Sequence, residues 1–526
     1  MTRRIIHNRL YFFLLLLLAA TLPLSVYATT IIQFLLILNW IAEGNFKFKF
    51  QQLKNDRAFW VFTLLFILHI VGMAWSSDFQ YGLKDLKIKL PVIVIPFLLA
   101  SSDKLTITQL RQILLAFIVG CLVGSGASVL ALLNILPADM SDFRNASLFI
   151  SHIRFSLMIV LAIMFAGFLF LRKDKNDYPF FPYIYLLALA WLPVFLVILR
   201  SLSGLLILVI IVFFVSLYLV KLVSDRKIRT LLTLIIVGIP IVTIFYIGLS
   251  IHRFYDVEKI SEASLDSLTV MGNPYTHVLE KKEAENGNYV WIYLCEEELE
   301  EEWKKISNYD YHGKADNGDL LKFTIIRYLS SKGLRKDALG LQQLDSLDIA
   351  AIESGIANHI YLNRFALYPR IYEVIWEFDR YRLGYNPNDK SLIQRYYYLK
   401  AGIAIASENL VFGVGTGDVR QAFEEYYESN DSPLRLERRR RAHNQYLTFA
   451  VAFGIPGLLI CLLAIILPVF MKKRWTSFMA VIFLLTIGLS MLDEDTLETT
   501  PGAVMFGFFY ALFIFGEKWP TRKSGK

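Results

Sequence analysis

The sequence has few of the residues from which disulfide frameworks and metal sites are built. Its 526 residues include only three cysteines and eight histidines, and only 19% are charged. Cys121 and Cys461 lie inside apolar runs, and Cys295 stands alone in a polar region. No HExxH or paired-cysteine spacing occurs, and no serine triad is indicated. These absences exclude a disulfide-stapled secreted domain and give no motif for a metal centre.

Apolar residues dominate instead. They make up 55% of the chain, and the mean hydropathy is +0.47. Runs such as "LLAFIVGCLVGSGASVLALL" and "LLTLIIVGIPIVTIFYIGLS" are long enough to cross a hydrocarbon core of about 30 Å. A soluble domain would not carry so many of these runs. The net charge of +8 is therefore not a nucleic-acid footprint. We predict an all-α polytopic membrane protein.

The apolar runs predict about twelve transmembrane helices. They fall near 10–26, 28–42, 58–75, 86–101, 112–136, 154–171, 181–199, 203–220, 230–250, 444–470, 475–492 and 501–516. Lys87 and Lys89 shorten the apolar part of the fourth. The first run also resembles a signal peptide, but a second apolar run follows at once, which favours two short spans joined by a tight turn.

Lysine and arginine in the short connections predict the topology. With the N-terminus in the cytoplasm, 23 of them fall in cytoplasmic segments and six in short outer connections. Both termini are then cytoplasmic, and the acidic connection "LDEDTLETT" lies outside. We therefore predict an N-terminal membrane domain at 1–250 with about nine spans, an extracytoplasmic loop domain at 251–443, and a three-span C-terminal membrane domain at 444–526.

The long loop is rich in aromatic residues and poor in proline, so it should fold. "DLLKFTIIRYLSSKGLRKDALGLQQL" and "SLIQRYYYLKAGIAIASENL" have the pattern of helices, and "CEEELEEEWKKI" that of a charged surface helix. "GVGTGD" at 413–418 resembles a phosphate-binding glycine loop, but it lacks a P-loop lysine. A turn is the favoured interpretation, with Asp418 as the N-cap of the helix "VRQAFEEYY".

Several cationic residues at the predicted outer face are candidates for a binding site. Arg200 lies between two apolar spans, and ionisable groups within membrane bundles are usually functional. His443 shares this outer rim and is a candidate acid–base group. His152 and Arg154 form a second, weaker pair. The run Arg438, Arg439, Arg440 and Arg441 has two open interpretations, a lipid-headgroup anchor or a phosphate-binding element.

Three segments resemble the family of O-antigen ligases and Wzy-type polymerases. "RAHNQYLTFAVAFGIPGLLICLL" is similar to the family's histidine segment, a His-Asn followed by an apolar helix with "GIPGLL". "RSLSGLLILVI" is similar to its arginine-plus-small-residue helix start, and "RYYYLKAGIAIASENLVFGVGTGD" to an arginine helix leading into a glycine turn. The predicted topology, with one large periplasmic loop before the last three spans, also resembles ligases of this family.

The resemblance implies glycan transfer on the periplasmic face of the bacterial inner membrane. The donor would be an undecaprenyl-diphosphate-linked glycan and the acceptor a lipid A–core sugar. His443 would activate the acceptor hydroxyl, Arg200 and Arg395 would bind the diphosphate, and no metal or nucleotide cofactor would take part. The stretch 255–390 is longer than in simpler members, and we expect it to influence acceptor choice.

Three alternatives stay open at this point. A Wzy-type polymerase would share the motifs and differ in its acceptor; the large loop and the number of spans favour a ligase. Transfer of the glycan to a protein is a further option within the family. A transporter of lipid-linked glycans should show mid-membrane charges or inverted repeats, and the sequence shows neither.

Overall fold

The computed structural model describes residues 2–137, 147–172, 178–257, 260–363, 366–388 and 391–516. The C-terminal residues 517–526, predicted to be cytoplasmic, lie outside this description. Across the described residues the chain is helical, with a single two-residue strand pair. The predicted all-α fold is therefore confirmed.

The first ten helices cover the N-terminal half of the chain. They are α1 Thr2–Thr21, α2 Val26–Glu43, α3 Phe46–Asn55, α4 Arg57–Val71, α5 Phe79–Ser101, α6 Ile107–Leu132, α7 His152–Leu171, α8 Phe181–Ile198, α9 Leu202–Val220 and α10 Arg226–Tyr255. Helix α3, in a predicted cytoplasmic connection, was not anticipated. The other nine correspond to the predicted spans, and α5 carries Lys84, Asp85, Lys87 and Lys89 in its first half.

The remaining helices follow two short strands, β1 Ala284–Glu285 and β2 Asn288–Tyr289. They are α11 Glu296–Ile306, α12 Leu321–Ser331, α13 Ala338–Gln342, α14 Ser346–Glu353, α15 Tyr368–Arg382, α16 Ser391–Glu408, α17 Val419–Ser429, α18 Gln445–Met471, α19 Phe478–Ser490 and α20 Thr500–Ile514. In the described part of the chain, nine helices are long and apolar enough to cross a membrane, and α19 and α20 are shorter apolar helices. The polytopic membrane fold is confirmed.

The chain forms two compact units, Met1–Tyr218 with Tyr381–Lys526, and Leu219–Arg380. At the centre of the first unit lies α20, whose residues from Gly502 to Ile514 are all buried. A helix that is apolar on every side belongs in a core. It packs against α5, where Gly507 comes so close to the carbonyl of Pro91 that an added Cβ would lie 2.5 Å from its oxygen. Phe62 stacks on Tyr510 with ring centroids 4.2 Å apart.

The glycine loop at 413–418 packs against a break in α18. Gly454 has φ +67° inside that helix, and the Ile455 amide bonds instead to the Leu410 carbonyl at 2.7 Å. Val414 and Gly415 donate to the carbonyls of Val451 and Ala452, each at 2.9 Å. These loop amides are thus occupied by protein acceptors, which agrees with the structural turn rather than a phosphate cradle.

Asp418 occupies the predicted N-cap position of α17, but its side chain makes no capping hydrogen bond there. Its carboxylate accepts instead from the backbone amides of Ser77 and Asp78, at 2.8 Å each. Those amides lie at the start of α5 and lack intrahelical partners. Two otherwise unsatisfied donors from a distant segment outcompete the local cap.

The second unit has its own apolar core, which includes Trp303, Tyr311 and Tyr328. Helix α11 is not wholly a solvated face, because Leu299 and Trp303 are fully buried. The first of the long predicted helices is broken into α12 and α13 by a turn containing Gly333, at φ +71°.

The hairpin between β1 and β2 turns at Asn286 and Gly287, which have φ of +50° and +85°. Asn-Gly is the preferred pair for such two-residue turns. Its neighbour Glu285 is fully buried and accepts from Arg327, Asn358 and Tyr372 at 2.7 to 2.9 Å. This carboxylate is completely satisfied within the unit.

Candidate active site

His443 lies two residues before α18, at a junction fixed by its neighbours. Asn444 caps the helix, accepting from the Leu447 amide at 3.0 Å. The Asn444 side chain also donates to the Leu492 carbonyl at 2.9 Å, and the Gln445 amide donates to Met491 at 2.9 Å. Both bonds tie the start of α18 to the connection between α19 and α20.

This junction holds His443 in an unusual backbone conformation, with φ +48°. Left-handed conformations are costly for residues other than glycine and cluster at functional sites. The imidazole stacks on Tyr398 of α16, with ring centroids 5.4 Å apart and planes at 27°. Its side chain is 34% exposed, so one edge of the ring is open to a substrate.

The other edge of the imidazole faces a carboxylate. Nδ1 of His443 lies 3.6 Å from Oε2 of Glu494, and makes no hydrogen bond among the described residues. A shift of a few tenths of an ångström would form one. A carboxylate on one ring nitrogen fixes the tautomer and stabilises the protonated ring, which leaves Nε2 for proton transfer.

Glu494 is itself held by two arginines. Oε1 accepts from Arg395 at 2.7 Å, and Oε2 lies 3.4 Å from Nη1 of Arg154. Burial alone would raise the pKa of Glu494, but His443, Arg154 and Arg395 outweigh it and hold that pKa below its ordinary value. Arg395 also pairs with Asp493. The carboxylate facing the imidazole therefore stays ionised near neutral pH.

A second buried carboxylate follows one turn later in the same connection. Oε2 of Glu498 lies 2.7 Å from Nζ of Lys89 and 2.9 Å from Nη1 of Arg441, and Oε1 accepts from Gln445 at 3.0 Å. Burial opposes ionisation of Glu498, but Lys89 and Arg441 hold its pKa well below the ordinary value. These contacts fix the end of the arginine run against the bundle.

A cavity of about 550 Å³ opens beside His443. Its wall includes Arg154, three arginines of the run and part of the acidic connection. The charged lining residues are Arg154, Arg420, Glu424, Glu437, Arg439, Arg440, Arg441, Glu494, Asp495 and Glu498. The size is that of a small-molecule site. Mixed charges and aromatic side chains suit a polar ligand such as a sugar.

The structure thus brings five of the predicted residues to one cavity, namely Arg154, Arg439, Arg440, Arg441 and His443. Arg395 adjoins it through Glu494 without lining it. Arg438 is exposed and lies off this wall, although its carbonyl accepts from the Tyr398 hydroxyl at 2.6 Å. His152, the first residue of α7, does not line the cavity either.

Arg200 is buried at the start of α9 and has φ +52°. The following small residues allow the close helix packing expected from the sequence: an added Cβ on Gly204 would lie 2.7 Å from Cβ of Ser156. Ser203 donates to Asp493, the partner of Arg395. The segment that begins at Arg200 therefore contacts the acidic connection through Ser203, but Arg200 does not line the cavity.

The acidic connection is the part of the site that the sequence interpretation did not identify. Glu494 and Glu498 contact His443 or the arginines, whereas we had used "LDEDTLETT" only to assign topology. The signal was present, since four carboxylates without neighbouring bases lie on the same predicted side as the candidate arginines. Within the described residues, no group of three or more His, Cys, Asp or Glu could hold a metal ion.

Residues 349–462 match the family model Wzy_C, described as O-Antigen ligase. The matched segment contains Arg395, the arginine run and His443, and it confirms the resemblance to the O-antigen ligase family. It supports an enzymatic role in O-antigen glycan transfer or polymerisation in a membrane. No curated protein matches the chain. Arg154, Arg200 and the acidic connection lie outside the matched segment.

Proposed function

We propose that this chain, which carries an O-antigen ligase domain, transfers a glycan from undecaprenyl diphosphate to a lipid A–core acceptor on the periplasmic face of the inner membrane. The observation that carries the proposal is the His443 imidazole at the wall of a cavity, with Nδ1 facing the ionised Glu494. A base oriented in this way is what activation of a sugar hydroxyl requires.

In the proposed reaction, the acceptor hydroxyl lies in the cavity against Nε2 of His443. Its oxygen bonds to the anomeric carbon of the donor sugar while the bond from that carbon to the diphosphate oxygen breaks. The diphosphate leaves with the electron pair, and the hydroxyl proton passes to His443. Glu494 stabilises the imidazolium that forms.

The leaving diphosphate needs positive charge more than it needs a proton. We retain Arg200 and Arg395 as its proposed ligands. Arg395 already pairs with Asp493 and Glu494, so the donor must replace at least one of them. Asp493 is the exchangeable partner because its side chain is 40% exposed, against 6% for Glu494, and exposed ion pairs contribute only about 0–1 kcal/mol.

The test uses purified protein in liposomes with an undecaprenyl-diphosphate-linked O-antigen and a lipid A–core acceptor. We expect a covalent glycan–core product and stoichiometric release of undecaprenyl diphosphate. Lengthening of the donor glycan with no consumption of core would instead show a polymerase. Movement of intact donor between leaflets with no covalent product would show a transporter. Either of the last two results overturns the proposal.

The proposed reaction also requires residues 251–443 to be periplasmic. Lys304 in α11 is 60% exposed in its side chain, so Lys304→Cys in a Cys295→Ser background should react with an impermeant thiol reagent in spheroplasts. Lys54→Cys, at a predicted cytoplasmic helix, is the matched control and should react only after lysis. The reverse pattern would contradict the orientation.

A further inference from the structure

Arg439 and Arg440 line the His443 cavity but have no role in the proposed transfer step. Resting on that proposed function, we propose that Arg439 and Arg440 form a subsite for a phosphate group carried by the acceptor glycan. The subsite would make this enzyme select a phosphorylated acceptor over a neutral one.

The first argument is the charge balance of the cavity wall. Arg154 pairs with Glu494, Arg441 with Glu498, and Arg420 with Glu424 at 2.7 Å. Those three guanidinium groups are neutralised by carboxylates of the protein.

Arg439 and Arg440 are different. Arg440 makes no ion pair or side-chain hydrogen bond within the described residues. Nη1 of Arg439 is buried without a hydrogen-bond partner, and its nearest carboxylate, Glu428, is 3.9 Å away. Glu437 is the one exposed carboxylate of the cavity wall that forms no ion pair with a described residue. Arg439 and Arg440 thus lack the close carboxylate partner that each of the other three arginines has, and a buried unsatisfied donor favours an incoming acceptor atom.

The second argument is that the arginine backbone is held in place. The Tyr427 hydroxyl donates to the Arg440 carbonyl at 2.8 Å, and the Tyr398 hydroxyl donates to the Arg438 carbonyl at 2.6 Å. Nε of Arg439 donates to the Leu434 carbonyl at 3.1 Å. A headgroup anchor needs no such fixation, whereas a binding site gains affinity when its groups are ordered before the ligand arrives.

The third argument concerns which substrate the pair meets. The general base must contact the acceptor hydroxyl, so the cavity beside His443 belongs to the acceptor. The arginines proposed for the donor diphosphate, Arg200 and Arg395, do not line it. Planar guanidinium forks bind phosphate through paired charge-assisted hydrogen bonds. The geometry therefore assigns Arg439 and Arg440 to a phosphate on the acceptor rather than to the donor.

The experiment compares two lipid A–core preparations that differ only in their phosphate groups, with the full-length protein in liposomes. Arg440→Gln and Arg439→Gln should each raise KM for the phosphorylated acceptor about 10- to 100-fold, the range expected for losing a hydrogen bond to a charged group. KM for the dephosphorylated acceptor and for the donor should stay within about threefold of wild type, because no charge contact is lost there.

Two matched variants serve as controls. Arg438→Gln alters the same run outside the cavity and should change neither KM; an equal loss in Arg438→Gln and Arg440→Gln would show a headgroup anchor and overturn the subsite. Glu437→Gln removes the opposing carboxylate and should lower KM for the phosphorylated acceptor only. If the arginine variants raise KM for both acceptors alike, or for the donor, the assignment is wrong. Absence of transfer by wild type with either acceptor would instead reject the proposed function.

Discussion

Glu285 and Glu494 are both buried carboxylates bound by arginine, but they differ in whether a neighbouring group lacks a hydrogen bond. Glu285, in the Leu219–Arg380 unit, is surrounded by Arg327, Asn358 and Tyr372, all within 2.9 Å. Glu494, in the other unit, has a histidine at 3.6 Å with an unsatisfied Nδ1. One network is closed and stabilises a fold. The other is open at Nδ1 of His443, on the same ring whose Nε2 is the proposed site of proton transfer.

The backbone near the two carboxylates shows the same contrast. Beside Glu285, positive φ falls on Asn286 and Gly287, the residues that tolerate it in a hairpin turn. Beside Glu494 it falls on His443, where it is costly. Positive φ also occurs at residues without a proposed role, such as Tyr293 and Lys473, so the strain at His443 supports the site only together with its contacts.

The largest effect that separates the two networks is expected from His443→Gln. Glutamine keeps hydrogen bonding and similar size but cannot act as a base near neutrality. Single-turnover transfer in liposomes should fall about 10²- to 10⁴-fold, the usual contribution of a general base. Binding of the lipid-linked donor, measured in parallel, should not change. A variant that retains more than about a tenth of wild-type transfer, above this range, would place the base elsewhere.

A smaller loss is expected from Glu494→Gln. The amide no longer stabilises the imidazolium, so the transfer rate should fall by about 10- to 100-fold, a part of the general-base contribution. Glu494→Asp keeps the charge and should recover part of the rate. Equal activity in Glu494→Gln and wild type would show that the carboxylate does not act on His443.

Arg395→Lys tests the arginine that binds Asp493 and Glu494. Lysine presents one ammonium group where the guanidinium reaches both Asp493 and Glu494, so it cannot replace the fork. We expect transfer to fall roughly tenfold, about 1.4 kcal/mol at the transition state, with normal membrane insertion. Unchanged transfer would reduce Arg395 to an interfacial anchor.

Glu285→Gln should leave the rate per folded molecule unchanged and lower stability instead. Arg327 loses its carboxylate in a buried site, at a cost of about 3 kcal/mol. Tryptophan fluorescence should therefore report unfolding at a lower temperature than in wild type, since Trp303 and Trp376 lie in this unit. A specific loss of turnover without loss of stability would contradict the closed-network interpretation.

The two regions also differ in which of their features can be predicted from the sequence. Apolar runs predicted the helical membrane fold, and the "RAHNQY" segment pointed to His443. They did not predict Glu494, because its partners Arg154 and Arg395 are distant in sequence and meet only after folding. The side-chain contacts of Asp418 were not predicted for the same reason, since local capping rules do not include the amides of a distant segment. The "ENG" turn before β2, by contrast, follows from local chemistry alone.

A double-mutant cycle of single-turnover transfer tests most directly whether Glu494 and His443 act as a coupled pair. The arginines and His443 hold the pKa of Glu494 below its ordinary value, so the carboxylate stays charged near neutrality, 3.6 Å from Nδ1 of His443. If Glu494 acts through His443, its charge matters for transfer only while the imidazole is present. We therefore predict that Glu494→Gln slows transfer in the wild-type background but has almost no further effect in a His443→Gln background, while Glu285→Gln leaves the rate per folded molecule unchanged in both. A loss from Glu494→Gln that is equally large in both backgrounds would contradict the account.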